Sequence, residues 1–347
     1  MEHLWKSIIR GPGRYFLAPL FWPLSKLFQF VVFIRNWLFD KRLKHISYVD
    51  VPVISVGNIV AGGSGKTPVT IMLGKLLSTN KIAILSRGYR SQAEYKGEVT
   101  AFTHKDGFSA EEVGDEPLMI SNRLPESRLY IGSDRLSSAN QAVLEGCEML
   151  LLDDGFQHRR LGRDFDVVVM DSNDPWGGGA FLPWGSLRET SSALQRAHLI
   201  ILTNVIRGVD LEALKMEIGH YSAAKIIATK LVHSGCLELK GVKVGAFCAI
   251  AKPENFYKTL SDLGASVINR LELGDHCSAR EDRLMEFMKE CRAIGCLLVV
   301  CTEKDFVKID RRKIFPLPLK VLKVDMEVIE GQQFLCRFLD MVQKKIK

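Results

Sequence analysis

Residues 62–67 combine glycines with a lysine and a threonine at a spacing that can bind phosphate groups. Backbone N–H groups wrap a polyphosphate only where side chains do not intrude, and glycines leave that space. Lys66 can reach the β and γ phosphates, and the hydroxyl of Thr67 can bind Mg²⁺. The loop therefore predicts a nucleoside triphosphate site, with ATP and Mg²⁺ as the expected ligands. Its residues are Gly62, Gly63, Ser64, Gly65, Lys66 and Thr67.

This glycine loop departs from the strict phosphate-binding pattern at one position. The pattern G-x-x-x-x-G-K-[ST] requires glycine at residue 60, where this chain has Val60. However, residues 51–56 before the loop predict a buried strand, and residues 69–77 after it predict a helix. A chance Gly-Lys-Thr rarely lies between two such elements, so the context favours nucleotide binding over a flexible turn.

Two adjacent carboxylates, Asp153 and Asp154, follow the apolar run 148–152. A carboxylate at a strand end beside the glycine loop can hold Mg²⁺ next to Thr67, directly or through water. The alternative is an ordinary cap, because aspartate is common after strands. The glycine loop earlier in the chain favours the metal-binding interpretation.

Two further pairs, Asp115-Glu116 and Asp275-His276, are candidates for proton transfer. A kinase that acts on a hydroxyl needs a carboxylate near the attacking oxygen to orient it and accept its proton. By pattern alone each pair is more typical of an exposed turn or a helix start. If His276 approaches Asp115 in the fold, it can tune or relay that proton.

Basic side chains crowd loops that follow predicted strands, where α/β sheets place their ligands. Guanidinium groups suit phosphate recognition, although a run of charge is usually a solvated face. No aromatic RNA-binding pattern or helix-turn-helix signal accompanies these residues, so nucleic acid is not an expected partner. They are Arg87, Arg90, His158, Arg159, Arg160, Arg163 and Arg188.

The elements that must position these residues are short apolar runs alternating with helical patterns. This alternation predicts an α/β fold, with a P-loop NTPase-like parallel sheet domain over residues 46–224. Residues 225–240 predict a hairpin linker, and residues 241–347 predict a second, smaller α/β domain. The predicted strands are 51–56, 81–85, 148–152, 165–170 and 199–202 in the first domain, and 244–250, 266–271 and 297–302 in the second.

Residues 1–45 are rich in Phe, Leu and Trp, and basic side chains outnumber acidic ones there. Apolar residues recur at helical spacing from Leu17 to Val32. The longest uncharged stretch is shorter than the roughly 18 residues that a membrane-spanning helix needs. A cleaved signal peptide is disfavoured because no small-residue cleavage site follows. Between a helix packed on the domain and a basic interfacial helix, we favour the interfacial helix.

The composition is that of a folded globular protein, with 47% hydrophobic and 25% charged residues. A chain of 347 residues fits two domains of ordinary size. The net charge of +7 favours anionic partners such as phosphates or acidic lipid headgroups. None of the 8 cysteines has zinc-like spacing, which indicates free thiols in a reducing cytosol.

Taken in order along the chain, these motifs resemble the tetraacyldisaccharide 4′-kinase (lipid A 4′-kinase) family of Gram-negative bacteria. The resemblance spans nearly the whole chain, and the irregular glycine loop agrees with it. The matching segments are VGN at 56–58, GGSGKTP at 62–68, SRGY at 86–89, VGDEP at 113–117, LDDGFQH at 152–158, LP at 182–183, LRE at 187–189, DH at 275–276 and TEKD at 302–305.

This resemblance implies transfer of the ATP γ-phosphoryl group to the 4′-hydroxyl of a tetraacylated, 1-phosphorylated glucosamine disaccharide, with Mg²⁺ as cofactor. It implies that Lys66 and Thr67 serve the phosphates and the metal. It also implies Asp115 as the catalytic carboxylate, His276 as its partner and Arg188 as a phosphate-facing arginine. By the same match, the nucleotide and the metal are surrounded by Asp153, Asp154, Gln157 and Glu189.

The resemblance also implies a monotopic enzyme on the cytoplasmic face of the bacterial inner membrane. Its expected partners are the lipid disaccharide and an anionic membrane surface, with no obligate protein partner. One position departs from the family, because the second histidine after Asp-His is Cys277 here, which leaves the role to His276. The alternatives are a membrane-associated ATPase switch of the partitioning type, disfavoured because Ala61 replaces its lysine, and a phosphate-binding module without turnover, disfavoured by the acidic pairs.

Overall fold

The computed structural model describes residues 18–77, 81–205, 208–234, 238–250, 253–273, 281–310 and 313–346. Within these residues, twelve strands form one sheet with helices packed against it. The strands are β1 Val53–Gly57, β2 Ile82–Ser86, β3 Thr100–Phe102, β4 Arg128–Ile131, β5 Met149–Asp153, β6 Phe165–Asp171, β7 Leu199–Thr203, β8 Lys225–Ser234, β9 Lys243–Cys248, β10 Ser266–Glu272, β11 Leu298–Thr302 and β12 Leu319–Glu330. The helices are α1 Ala18–Asp40, α2 Lys66–Leu76, α3 Gln92–Lys96, α4 Ala110–Val113, α5 Asp115–Arg123, α6 Arg135–Leu144, α7 Leu211–Gly219, α8 Pro253–Asp262, α9 Glu281–Ala293, α10 Glu303–Phe306 and α11 Gln332–Ile346.

The sheet runs in the order β10-β9-β11-β12-β8-β7-β6-β1-β5-β2-β4-β3. Its strands pair in parallel except where β12 meets β8 and β3 meets β4. β1 lies between β6 and β5, and its residue Val56 is in register with Asp153 at the end of β5. The glycine loop that follows β1 therefore opens beside the acidic pair, at the edge where parallel sheets bind ligands.

The fully buried β1 shows why the sheet needs cover on both faces. Successive side chains of a strand point to opposite faces, so Ile54 and Val53 join different apolar clusters. Ile54 packs in a cluster with side chains from α2, α5 and α11, whereas Val53 joins one with side chains from α6. Apolar runs without polar alternation are typical of such doubly covered parallel strands.

The structure confirms the predicted α/β class, the predicted strand before the glycine loop and the predicted helix after it. The first helix after the loop begins at Lys66, three positions before the predicted start, because Gly65 at φ 84° ends the loop directly there. Sequence patterns did not predict β3, β4, β12 or α11. The division into domains 46–224 and 241–347 stays a prediction.

The predicted hairpin over residues 225–240 is corrected by the observed pairing. Residues 225–234 form the single strand β8, which pairs in parallel with β7 and antiparallel with β12. Leu239, in the predicted second arm, belongs to no strand. The antiparallel partner therefore comes from the far end of the chain, because β12 joins β8 to β11 in one sheet.

A set of ion pairs fastens α5 to α10 and β12. Arg123 at the end of α5 donates to Glu303 at 2.9 Å and also to Asp325. The Asp325 carboxylate accepts further hydrogen bonds from Lys75 and from the hydroxyl of Ser234, each at 2.9 Å. Side chains from α2, α5, β8 and β12 thus meet at one carboxylate.

Helix α1 packs on the sheet with one side and exposes apolar side chains on the other. Ser25 donates its hydroxyl to the Phe181 carbonyl at 2.7 Å, and Val32 and Phe39 are buried. None of the described helices combines the length and the apolar character needed to cross a membrane. The exposed apolar residues of α1 are Leu20, Trp22, Leu24, Leu27, Phe30, Val31, Phe33, Ile34 and Trp37.

Gly57 at the end of β1 provides a test of how tightly this edge is packed. A Cβ added at Gly57 would lie 2.5 Å from Phe156 Cβ and 2.7 Å from the Phe156 backbone nitrogen. We therefore expect Gly57→Ala to lower the free energy of unfolding by about 1–3 kcal/mol, as overpacking does, when measured by urea denaturation. Gly219→Ala is the matched control, because a Cβ there meets nothing within 4 Å. Equal stability of the two variants would contradict the packing.

Candidate active site

The glycine loop is held by hydrogen bonds from its flanks rather than by bulky side chains of its own. Asn58 donates its amide to the Ser64 hydroxyl oxygen at 2.8 Å, and Thr203 at the end of β7 donates its hydroxyl to the Ser64 carbonyl at 2.8 Å. Gly65 takes a φ of 84°, a left-handed conformation that favours glycine. These hydrogen bonds and the conformation of Gly65 fix the shape of the loop.

Val60 explains the irregular spacing of the loop. Where the strict pattern has glycine, Val60 instead forms an antiparallel bridge with Leu187. Beside this bridge the Arg188 backbone N–H donates to the Ile59 carbonyl at 2.8 Å. A β-branched residue suits such extended pairing. The departure from the pattern therefore ties the loop to the segment that carries Arg188.

Asp153 is a buried carboxylate beside the start of α2. Its Oδ1 accepts a hydrogen bond from the Thr70 hydroxyl at 2.9 Å. Burial, together with the neighbouring charges of Glu116 and Asp154, raises the pKa of Asp153 to about 7. Lys66 opposes this effect without cancelling it. The positive charge around Asp153 is therefore too small to keep its pKa at the usual value.

Asp154 lies in a different electrostatic setting from its neighbour. Arg188 Nη1 lies 3.1 Å from both carboxylate oxygens, and Lys66 Nζ lies 3.7 Å from Oδ1. Burial raises the pKa of Asp154, but the two cations outweigh burial and hold it below its usual value. Its φ of 53° is uncommon for a residue other than glycine and marks a constrained position. Asp154 thus stays charged and holds Arg188 in the site.

Arg135 is a site residue that the sequence analysis missed. Its side chain is buried at the start of α6, and its guanidinium donates to the Gly132 carbonyl at 2.5 Å. Burial lowers the pKa of Arg135 to about 10, so it remains a cation, and Asp153 and Asp154 are its nearest opposing charges. The signal was available, because Arg135 follows β4 as the predicted basic residues follow their strands.

Gln157 contacts the base of the glycine loop. Its side-chain amide donates to the Asn58 carbonyl at 2.7 Å, and Asn58 in turn orients Ser64. The structure therefore places Gln157 next to the loop, although by supporting its backbone. Whether this residue also contacts the nucleotide stays a prediction.

Asp115 is the first residue of α5, and its ion-pair partner comes from the C-terminal part of the chain. Its carboxylate lies 3.1 Å from Lys308 Nζ. The next residue, Glu116, is close enough to Asp153 for its charge to raise that pKa. The first turn of α5 therefore lies beside the acidic pair, as a base near the phosphates must. His276 and Asp275 lie outside the described residues, so their approach to Asp115 stays a prediction.

Glu189 binds the first helix. Its side chain is 0% exposed, and both carboxylate oxygens bind α1: Oε1 accepts from Arg35 and Oε2 from Asn36, each at 2.6 Å. Arg196 Nη2 also lies 3.7 Å from Oε1. This carboxylate anchors the first helix, and its place near the metal stays a prediction.

Several basic loop residues serve the framework instead of the site. Arg159 donates to Asp40 at 2.6 Å at the end of α1, and Arg163 pairs with Asp166 at 3.3 Å. Burial lowers the pKa of His158 to about 4, which leaves this ring neutral. Of the predicted basic set, Arg188 is the residue seen to bind the acidic pair.

The sequence profile of the Tetraacyldisaccharide-1-P 4′-kinase family matches residues 17–343. This chain belongs to that family. Proteins named Tetraacyldisaccharide 4′-kinase from Anaeromyxobacter sp. (strain Fw109-5) and Syntrophus aciditrophicus (strain SB) are 35% and 33% identical to it. Those matches cover 98% and 99% of this chain and 95% and 98% of the relatives. The crystal structure of LpxK from Aquifex aeolicus in complex with ATP has a TM-score of 0.74 and 27% identity, and the match covers 95% of this chain and 99% of that one.

Membership of the tetraacyldisaccharide 4′-kinase family confirms the resemblance drawn from the ordered motifs. It also disfavours the alternative of a partitioning-type ATPase switch. The matched range begins at residue 17 and so includes all of α1. Helix α1 is therefore a part of the kinase fold that this family shares, and its contact with Glu189 belongs to the site.

The donors beside the glycine loop fit Mg²⁺. The buried hydroxyl of Thr67 and the carboxylate of Asp153 are hard oxygen ligands, which this ion prefers. The raised pKa of Asp153 shows that a divalent cation would relieve the local excess of negative charge. Among the described residues, no group of three or more His, Cys, Asp or Glu can hold a metal alone.

The anchor formed by Glu189 predicts a large effect of a nearly isosteric change. Glu189→Gln leaves Arg35 and Arg196 without their buried counter-charge, which costs about 3–5 kcal/mol when such a pair is broken. We expect a loss of that order in the free energy of unfolding, measured by urea denaturation. The control is Asp40→Asn, because the Asp40 side chain is 62% exposed in its pair with Arg159 and should contribute less than about 1 kcal/mol. Equal losses in both variants would contradict the anchor.

Proposed function

We propose that this chain transfers the γ-phosphoryl group of ATP to the 4′-hydroxyl of a tetraacylated glucosamine disaccharide 1-phosphate. The observation that supports this most directly is the meeting of the glycine loop, the acidic pair and the first turn of α5 at one edge of the sheet. The names of the relatives indicate the lipid disaccharide as acceptor. Phosphoryl transfer needs positioning and charge neutralisation, and this edge supplies both.

Positive charge that is already in place stabilises the reacting phosphates. We infer that the loop backbone and Lys66 bind the β and γ phosphates, and that Arg188 and Arg135 lie close enough to add to the field. Fixed charges of this kind need no reorganisation as charge develops on the transferring group. Thr67 and Asp153 would hold Mg²⁺, which supplies further charge neutralisation on the phosphate oxygens. Releasing Arg188 from Asp154 would let it reach the nucleotide.

Asp115 orients the attacking hydroxyl and accepts its proton. The 4′-oxygen forms a bond to the γ-phosphorus while the bond from that phosphorus to the β–γ bridging oxygen breaks, which releases ADP. The hydroxyl proton passes to the Asp115 carboxylate, with His276 as the proposed partner in that transfer. Glu116 is close enough to Asp153 for its charge to raise that pKa, and Asp115 is the carboxylate that the family resemblance assigns to the hydroxyl.

This assignment predicts a loss of turnover without a loss of nucleotide binding. We expect Asp115→Ala to lower kcat by about 10²–10⁴, the usual range for acid–base groups, in an assay of labelled phosphate transferred from ATP to the disaccharide lipid. The dissociation constant for ATP should change little, because Lys66 and the loop are intact. A rate near that of the wild type would remove Asp115 from the mechanism.

We propose that α1 docks the enzyme on an anionic surface, at the cytoplasmic face of the inner membrane. Its outward side carries exposed aromatic and aliphatic side chains, and Lys41, Arg42 and Lys44 follow directly. Such a helix lies in the headgroup region, where basic residues meet anionic lipid. The acyl chains of the substrate lie in the same layer. Because Glu189 anchors α1 beside Arg188, docking would bring the catalytic edge to the lipid.

Substitutions on the exposed side of α1 test this docking more cleanly than deletion of the helix, which would also strip Glu189 of its partners. Leu27 and Phe30 are 60% and 57% exposed. We expect the double change Leu27→Glu, Phe30→Glu to weaken binding to anionic phospholipid vesicles at least about tenfold, because burying each side chain is worth about 1.5–3 kcal/mol. ATP binding should persist.

The control for this experiment is Leu144→Glu. Leu144 is the last residue of α6 and is 87% exposed. That variant should sediment with vesicles as the wild type does. Unchanged sedimentation of the α1 variant would exclude this side as the docking surface. An equal loss in the control would indicate a nonspecific effect of added negative charge.

A further inference from the structure

The segment Thr302–Lys308 is a motif to which the mechanism above gives no role. Thr302 ends β11 and caps α10, because its hydroxyl accepts from the Asp305 backbone N–H at 3.2 Å. The same hydroxyl donates to Asp305 Oδ2 at 2.5 Å, and the Ala249 N–H donates to that oxygen at 3.0 Å. The short helix and its buried aspartate are thereby fixed, and with them the direction of the residue that follows.

Lys308 leaves this fixed segment and reaches the first turn of α5. Its Nζ lies 3.1 Å from Asp115 Oδ2 and 4.0 Å from Asp305 Oδ1, and its side chain is only 7% exposed. Asp305 Oδ1 is buried and accepts no hydrogen bond from the described residues. The Lys308 ammonium therefore lies between two carboxylates, that of Asp115 in α5 and that of Asp305 in α10.

A buried ammonium at this place has two physical consequences for Asp115. It compensates the negative charge of the Asp115 carboxylate at a distance of 3.1 Å. It also fixes the rotamer of Asp115, because a charge-assisted hydrogen bond from a mostly buried donor is directional and strong. Asp305 in turn restrains Lys308 from the opposite side.

We propose that Lys308 is a positioning residue for phosphoryl transfer, which holds the Asp115 carboxylate toward the acceptor hydroxyl while Asp305 holds Lys308. The proposal rests on the proposed role of Asp115. By this proposal, the TEKD segment at 302–305 contributes to the reaction through Lys308, which lies three residues after it. This lysine also makes the placement of Asp115 depend on the segment that follows β11.

The test compares Lys308→Gln and Lys308→Arg with the wild type in the labelled transfer assay from ATP to the disaccharide lipid. We expect Lys308→Gln to lower kcat about 10- to 100-fold, the effect of losing one charge-assisted hydrogen bond. The KM for both substrates and the affinity for ATP should stay within about twofold, because Lys308 contacts neither in this arrangement. Lys308→Arg should restore most of kcat, since it keeps the cation.

A matched control is Glu303→Gln, which weakens another ion pair between α5 and the segment 302–308. Glu303 pairs with Arg123 at 2.9 Å. Arg123 lies at the other end of α5 from Asp115, about 12 Å along the helix at 1.5 Å per residue. This variant disturbs the same junction, so its kcat should stay within about twofold of the wild type.

A second series separates this proposal from the role of Asp115. Asp115→Asn should be nearly inactive, and adding Lys308→Gln to it should cause no further loss. Normal turnover of Asp115→Asn would overturn the base assignment itself. If Asp115→Asn is inactive, three results would overturn the positioning role alone: normal kcat in Lys308→Gln, a raised KM for the lipid with kcat unchanged, or loss of ATP binding.

Discussion

Buried negative charge at the end of β5 is the constraint on which the rest of this structure depends. Asp153 is buried beside Asp154, and the nearby charge of Glu116 adds to the negative charge there, so compensating cations are needed. Lys66 comes from the glycine loop, Arg188 from the segment that pairs with it, and Arg135 from the start of α6. Each cation is delivered by a different element, so the fold must bring all of them to one edge.

The same constraint links the candidate active site to α1. Arg188 neutralises Asp154, and its neighbour Glu189 is buried against α1. Arg188 and Glu189 are adjacent and oppositely charged. Arg188 binds the acidic pair, and Glu189 binds α1. The bridge between Val60 and Leu187 fixes both to the glycine loop. The packing of α1 is therefore coupled through Glu189 to the segment that carries Arg188.

Local sequence patterns predicted the parts of the site whose partners are close in the chain or follow buried strands. The glycine loop, the acidic pair and the parallel sheet were predicted this way, because apolar runs and loop motifs consist of residues that are adjacent in the sequence. The anchoring contacts of Glu189 were not predicted because its partners on α1 lie far away in sequence. The pairing of β8 with β12 and that of Asp115 with Lys308 were missed for the same reason.

The central claim is that the edge around β1 and β5 passes phosphate to a lipid hydroxyl and not to water. The most direct measurement is the ratio of labelled lipid formed to ATP consumed, with Mg²⁺ and the tetraacyl disaccharide 1-phosphate present. We predict one labelled 4′-phosphate for each ATP consumed, and little ATP consumption when the lipid is left out. ATP hydrolysis at a similar rate with or without lipid, and no label in the lipid, would contradict the account.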